Sequence, residues 1–421
     1  MKTMKKRIVA LLLTMVMTVL AVACSTPEPT PGGEKTPSSK TTELTTSSSG
    51  QNPDLADLKK FYAENETFRN GLAAFSMKLM ATCYEGDTMM ISPLSVYTAL
   101  GMLANGAEGE TKKQLEDMFG CSVSDINKGV AYLIAYTEQQ DVLRIANSIW
   151  LNSDVDMEVK KEFLSICGDY YRSAVFRAPF SDKSTIGDIN NWVKKNTKNR
   201  IEKIMEQLNP ELVMVLMNAI TFDGEWVEPF KAENTCDEDT FTRADGSVKK
   251  VDIMYGNADR YFEDDDMTGC EKHYKKGYLF RAYLPKEGKS VADLLQKLSE
   301  NRTLTYLNSD EIHLRLPKIK EETTIKLDDA LQKLGMQKAY SGAAEFGAMT
   351  DAKVKVNTVL HKTFIKVDEK GTEAAAVTAI SMDATAYRME KIVRFVNLDH
   401  PFVYEIVDEQ TGITIFTGVY Q

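Results

Sequence analysis

The sequence predicts an α+β fold built as one large domain, and three stretches carry that expectation. A helical period runs from Phe68 to Tyr84, with Leu72, Phe75, Leu79 and Met80 on one face. Val213 to Phe222 is a near-continuous apolar run, the pattern of a central strand. His361 to Glu369 alternates polar and apolar residues as a half-buried strand does, and it leads straight into Gly371. With 421 residues the chain is long enough to bury one large core or two ordinary ones. Its formal net charge is −10, with 61 acids against 51 Lys and Arg, and no block is strongly basic. Nucleic acid is therefore disfavoured as a partner.

The first segment is not part of the fold. Lys2, Lys5, Lys6 and Arg7 precede an apolar run from Ile8 to Val22, and small residues lead to Cys24. This reads as a secretory signal over residues 1–23. A cysteine at the cut suggests a bacterial lipoprotein whose Cys24 thiol carries lipid, although Leu20 sits one place earlier than that motif prefers. A spanning helix needs about 20 apolar residues, and this run is shorter and interrupted by Thr14 and Thr18. Residues 24–54 are rich in Ser, Thr, Pro, Gly and Lys, and are expected to form a disordered tether. The folded domain is then 55–421, extracytoplasmic and held at a membrane through Cys24.

The five remaining cysteines, Cys83, Cys121, Cys167, Cys236 and Cys270, are odd in number and widely spaced. They predict buried thiols rather than a disulfide framework or a zinc site. The body begins near Leu55–Phe61. After the Phe68 helix a strand ends at Ser92, and Pro93 opens a helix at a position where its missing N–H costs little. Thr111, with Gln114 three residues on, predicts a helix cap. Gly101 and Gly106 have phosphate-loop spacing, but no Lys-Ser/Thr follows them, which argues against a nucleotide site.

Leu143 to Leu151 predicts a buried strand carrying Trp150. Lys194, Lys195, Lys198, Arg200 and Lys203 gather near a helix end and read as a solvated face, given the acids around them. Asn218 interrupts the apolar strand, and a buried amide has to be hydrogen-bonded. Glu263 to Asp266 lacks the spaced ligands and glycine of a calcium loop and reads as a turn. Leu284-Pro285-Lys286 and Leu316-Pro317-Lys318 each close a strand-like run, and Leu327 to Leu334 is a helix stopped by Gly335.

Glu369 to Arg388 is the unusual stretch. Every second residue from Thr372 (Ala374, Ala376, Thr378, Ile380, Met382) is small, branched or apolar, and none is charged. The alternate set carries Glu373 and Asp383. The alanines also suit a helix. Pattern alone leaves a surface helix and a strand-forming segment both open. Strands follow at Ile392–Val396 and near the C-terminus. There are only four histidines, no Gly-x-Ser-x-Gly and no His-Glu-x-x-His, and Ser247 to Lys250 matches Ser-x-x-Lys in isolation. No catalytic constellation, metal site or cofactor is indicated.

The flanks favour the strand-forming reading through a resemblance. The His361–Ala376 run resembles the hinge of the reactive-centre loop in serpins, the serine protease inhibitor superfamily. Met89 to Thr111, with Ser92, Pro93 and Ser95, is similar to the serpin N-terminal signature, and His400 to Val419 is similar to the serpin C-terminus. The resemblance covers roughly Leu55 to Gln421. It implies a single serpin domain with a large mixed sheet A, smaller sheets B and C, eight or nine helices and an exposed reactive-centre loop. Ser92, Ser95, Asn218 and His361 then match the shutter, where the sheet strands part. Trp226 matches the breach at the top of that sheet, and Glu369, Lys370, Gly371, Thr372, Glu373, Ala374, Ala375 and Ala376 match the hinge.

The function implied is that of a monomeric suicide inhibitor, which forms a covalent complex with an extracellular serine or cysteine protease and needs no cofactor. Family spacing from Glu369 puts the reactive bond between Thr385 and Ala386. Small residues there suit elastase-like or subtilisin-like enzymes. Tyr387–Arg388 and Arg388–Met389 are neighbouring alternatives that would suit chymotrypsin-like or trypsin-like ones. A non-inhibitory member acting as a surface binding protein or chaperone is the other reading of the resemblance. The small residues on the inserting face argue against it.

Overall fold

The computed structural model describes residues 40–45, 54–300, 302–372 and 391–421. The signal, Cys24, most of the tether, hinge residues Glu373 to Ala376 and the bond at Thr385–Ala386 lie outside the described residues.

A mixed sheet of eight strands organises the molecule. Its order runs Thr42–Glu43, Ala174–Ala178, Leu143–Asn152, Met214–Phe222, Thr358–Asp368, Gly371–Thr372, Gly224–Glu225, with Ile319–Lys326 paired to the far side of Thr358–Asp368. We call it sheet A. Sheet B has seven strands and includes Tyr278–Pro285, Phe402–Asp408, Thr414–Tyr420 and Met89–Ile91. Sheet C has four: Val393–Asn397, Glu311–Pro317, Val248–Asn257 and Thr235–Thr242. Nine α-helices accompany them among the described residues. The fold class is therefore as the sequence predicts.

The Met214–Phe222 strand is apolar apart from Asn218 and Thr221 because both of its faces are covered. Met214, Leu216 and Ile220 join the main core, while Val215, Met217 and Ala219 face a second cluster closed by Ile189 and Val193 of the Ser184–Asn196 helix. On the main-core side lies the Pro93–Ala104 helix, whose residues are all buried. It packs against strands of sheet A and against Thr414–Tyr420 of sheet B. Each large apolar side chain buried there is worth about 1.5–3 kcal/mol. The Ser92 hydroxyl caps this helix by accepting from the Ser95 N–H at 3.3 Å, and Pro93 occupies its first turn.

Three expectations need correction. The tether is not structureless throughout, because Thr42 and Glu43 pair with Arg177 and Phe176 and cover the outer edge of sheet A. An open edge supplies the pairing groups that a polar segment cannot supply for itself. Thr111 is not a cap: the helix spans Gly109–Phe119 and Thr111 lies within it. Its end is capped from afar by Glu345, whose carboxylate accepts from the Glu110 and Thr111 N–H groups at 2.8 and 3.3 Å, while the Thr111 hydroxyl accepts from the Glu345 N–H at 3.0 Å. The reciprocal bonds of a capping box are present, but they join segments more than two hundred residues apart. Finally, Cys83, Cys121, Cys167 and Cys270 are buried, but Cys236 is exposed on an edge strand of sheet C.

Candidate functional site: the seam of sheet A

The site is the seam between Met214–Phe222 and Thr358–Asp368. These strands are parallel and paired from Thr358↔Val215 to Thr363↔Ile220. Above that point they diverge. Gly371–Thr372 occupies the gap, pairing Thr372 with Val367 on one side and with Gly224 on the other. The chain leaves Thr358–Asp368, reverses at Glu369–Lys370, and re-enters the sheet for two residues. Gly371 is needed for this reversal. Its φ is +146°, and a Cβ there would meet the Gly224 carbonyl oxygen at 2.1 Å.

Aromatic rings close the head of the seam. Trp226 is fully buried and stacks on Tyr274, with ring centroids 3.9 Å apart and planes 10° apart. The Trp226 indole N–H donates to the Asp368 carbonyl at 3.0 Å, and its backbone N–H to the Lys370 carbonyl at 2.9 Å. Thr372 is fully buried, with its hydroxyl 2.8 Å from that of Tyr274. Burial pushes the Tyr274 phenol well up, so it is neutral. Glu369 sits at the reversal and accepts from Lys318 Nζ at 2.9 Å and from the Thr235 hydroxyl at 2.8 Å. Partial burial acts to raise its carboxyl, but the bonds from Lys318 and Thr235 outweigh it and hold the group below its ordinary value.

A polar rung crosses the middle of the seam. Asn147, Asn218 and His361 lie side by side on three adjacent strands. His361 Nδ1–H donates to Asn218 Oδ1, and His361 Nε2 accepts from the Ser92 N–H at 2.9 Å. Asn218 Nδ2 donates to the Ser95 carbonyl at 2.7 Å, to the Ser95 hydroxyl and to Asn147 Oδ1. The Ser92 hydroxyl donates to the Ile415 carbonyl at 2.6 Å, tying the rung to sheet B. Full burial pushes the His361 ring down to about 3, so it is the neutral Nδ1–H tautomer that bridges Asn218 and Ser92. Ser92, Ser95, Asn218 and His361, far apart in sequence, thus form one buried network. Asn147 completes it and was missed. Its only sequence signal was an amide in the middle of a strand that also carries Arg144, Ser148 and Asn152.

Comparison with known proteins decides the family. Residues 70–421 match the family described as Serpin (serine protease inhibitor). The chain is a serpin. An uncharacterized serpin-like protein of Thermococcus kodakarensis is 31% identical, over 79% of this chain and 80% of that one. The crystal structure of the thermophilic serpin tengpin in its native state superposes with a TM-score of 0.77 and 35% identity, covering 90% of this serpin and 98% of that chain. Human thyroxine-binding globulin bound to thyroxine superposes at 0.73 with 26% identity, over 86% and 98%. Serpin-fold proteins are mostly inhibitors or binding proteins rather than catalysts.

The other candidate residues are accounted for locally. In the basic group, Lys194 pairs with Glu202, Lys198 with Asp141, Arg200 with Asp223 and Lys203 with Glu206. Asp264 and Asp266 both accept from Lys297 at 2.7 Å. No group of His, Cys, Asp or Glu among the described residues is arranged to hold a metal ion.

Proposed function

We propose that this serpin is a suicide inhibitor of extracellular serine or cysteine proteases, with elastase-like and subtilisin-like enzymes as the favoured targets. The observation that supports this is the buried pairing of Gly371 and Thr372 in the head of the seam. The first loop residues already lie in the register that a further strand would extend. The protease nucleophile attacks the Thr385 carbonyl, the Thr385–Ala386 bond breaks, and the amine of Ala386 leaves. An acyl-enzyme remains on the N-terminal side of the cut. Ala374, Ala376 and Thr378 then follow Thr372 inward between the seam strands. A strand from Thr372 to Thr385 covers roughly 45 Å at about 3.3 Å per residue. The attached protease is carried along, a movement on the scale of a whole domain, and its site is distorted before water can release it.

A carrier role finds less support. Two cavities among the described residues both carry charged walls: one of about 310 Å³ beside the Val291–Glu300 helix is lined by Asp266, Lys289, Asp293, Lys297 and Glu300 around Leu294, and one of about 280 Å³ joins Leu55, Leu58, Ala131 and Ala135 to Glu138, Asp169 and Arg172. A buried site for an apolar ligand is built from apolar walls.

The proposal includes a monomer anchored at an extracytoplasmic membrane surface by lipid on Cys24. Fatty-acid labelling that is lost in Cys24→Ala tests the anchor. Incubation with subtilisin, pancreatic elastase, trypsin, chymotrypsin and papain tests the trap. A denaturant-stable complex and a released fragment beginning at Ala386 are expected. A fragment beginning at Met389, from trypsin alone, would move the bond. Cleavage of every loop without a complex would reject inhibition.

A further inference from the structure

The exposed apolar residues are not scattered. Of seven large ones exposed among the described residues, Val393 and Phe395 lie on one edge strand of sheet C, Val393–Asn397, and Ile392 immediately precedes it. Phe395 is 64% exposed, and Val393 stands two residues away on the same face. Beside them, His313 pairs in register with Phe395 and stacks on its ring at 5.2 Å between centroids and 30° between planes. The strand's start is held firmly. Ile392 N–H donates to the Asp310 carboxylate at 2.7 Å, and Asp310 N–H to the Ile392 carbonyl at 2.8 Å. A rigid, partly stacked phenylalanine exposed to water costs little to order on binding and resembles the aromatic anchor of an interface.

We propose that Phe395, with Val393 and His313, is a docking surface for the body of the target protease. It contacts an apolar surface loop on the side of the cleft that receives the residues after the scissile bond. This rests on the inhibitory reading above. The occupant follows from where the loop returns. The described chain resumes at Lys391, so only seven residues, Ala386 to Ile392, separate the proposed bond from the patch. Fully extended they reach about 25 Å. A protease domain of about 220 residues has a radius of gyration near 17 Å, hence a diameter of about 40 Å. A body that large, gripping a bond on so short a tether, rests against the surface around the loop's return. Moving the cut to Arg388–Met389 only shortens the tether.

The timing follows from the chemistry. Once the bond is cut, the segment from Ala386 onward no longer connects to the acylated segment. The protease leaves the patch as the loop inserts. The surface therefore speeds capture and adds nothing to the lifetime of the trapped complex.

The test is the second-order rate of loop consumption, by cleavage or trapping, with subtilisin and with pancreatic elastase. Wild type is compared with Phe395→Ala and with Val248→Ala, an exposed position on the same sheet. Melting midpoints of the variants are checked against wild type. For whichever protease attacks wild type faster, Phe395→Ala should lower the rate at least tenfold, with unchanged complex lifetime and no effect from Val248→Ala. Rates within twofold for both proteases would overturn the docking surface. So would a loop left intact by both, or a wild-type dimer in sedimentation that Phe395→Ala abolishes, which would assign the patch to a second copy. If the loop is cleaved with no trapped complex, inhibition fails as a reading while the rate ratio still decides the surface.

Discussion

His361 donates its Nδ1–H to the side-chain carbonyl of Asn218 across the seam between two parallel strands of sheet A. The bond sits at the fourth of the six rungs that join these strands, so no strand runs the full length of the seam without breaking it. At the head of the same seam Thr372 has already entered. The polar rung in the middle of the seam and the pairing at its head thus belong to one element, the strand Thr358–Asp368 and its reversal at Glu369–Lys370.

Acid should weaken the clasp through His361. Burial holds its folded-state pKa near 3, against an ordinary 6.5. Between these values the unfolded chain binds the extra proton, so stability rises with pH across the window. The contribution is complete above about pH 6.5 and is lost as pH falls towards 3. Each pH unit is worth about 1.4 kcal/mol, or about 2 kcal/mol by pH 5. His361→Gln keeps a donor but cannot titrate. Between pH 7 and 5, wild type should lose about 2 kcal/mol more than His361→Gln in urea unfolding. Parallel pH profiles would show that the ring does not titrate in this way.

Asn218→Ala should cost about 2–4 kcal/mol, since it strands the His361 Nδ1–H, Asn147 and Ser95 without their partner. Amide exchange along Val215–Ile220 should quicken with it. A loss below 1 kcal/mol, with unchanged exchange, would show that the rung does not hold the seam.

How much of this was legible depends on how local each signal is. The Ser92–Pro93 helix start is read from two adjacent residues, and the buried strand around Asn218 from one continuous run. Asn218 itself stood out because a polar group in such a run needs partners. Its partner Asn147 did not, because only the antiparallel register of Leu143–Asn152 with Met214–Phe222 brings the amides together. Tyr274 likewise has no local mark, although it stacks on Trp226 and touches Thr372. The Glu345 cap and the Thr42–Glu43 edge strand are also satisfied by partners distant in sequence. Local propensity misplaces such elements because a long-range bond overrides it.

On the proposed mechanism, Thr372→Arg should convert trapping into simple cleavage. Thr372 is fully buried, and an arginine there would carry an unpaired charge into the sheet. Insertion slows and deacylation wins. The loop should be cut at near wild-type rate while the stable complex falls at least tenfold. An undiminished complex on a denaturing gel would contradict this.

Glu369→Lys should loosen the reversal. It replaces the Lys318–Glu369 pair at 2.9 Å with two like charges and removes the acceptor for Thr235. A partly buried pair of this kind is worth about 1 kcal/mol, and repulsion adds to the loss. The melting midpoint should fall by a few degrees, and Lys318→Glu in the same chain should restore part of it. No recovery in the double variant would show that the two side chains act independently.

The central claim is that the seam accepts the loop as a strand. Its most direct test is the thermal midpoint, by circular dichroism, of intact protein and of protein nicked once within residues 373–390. A strand added between Met214–Phe222 and Thr358–Asp368 gains hydrogen bonds on both edges, each worth about 1 kcal/mol. At about 1.3 °C per kcal/mol for a body of about 370 residues, roughly fourteen such bonds should raise the midpoint on the order of 20 °C. Equal midpoints before and after the nick would contradict insertion, and with it the mechanism.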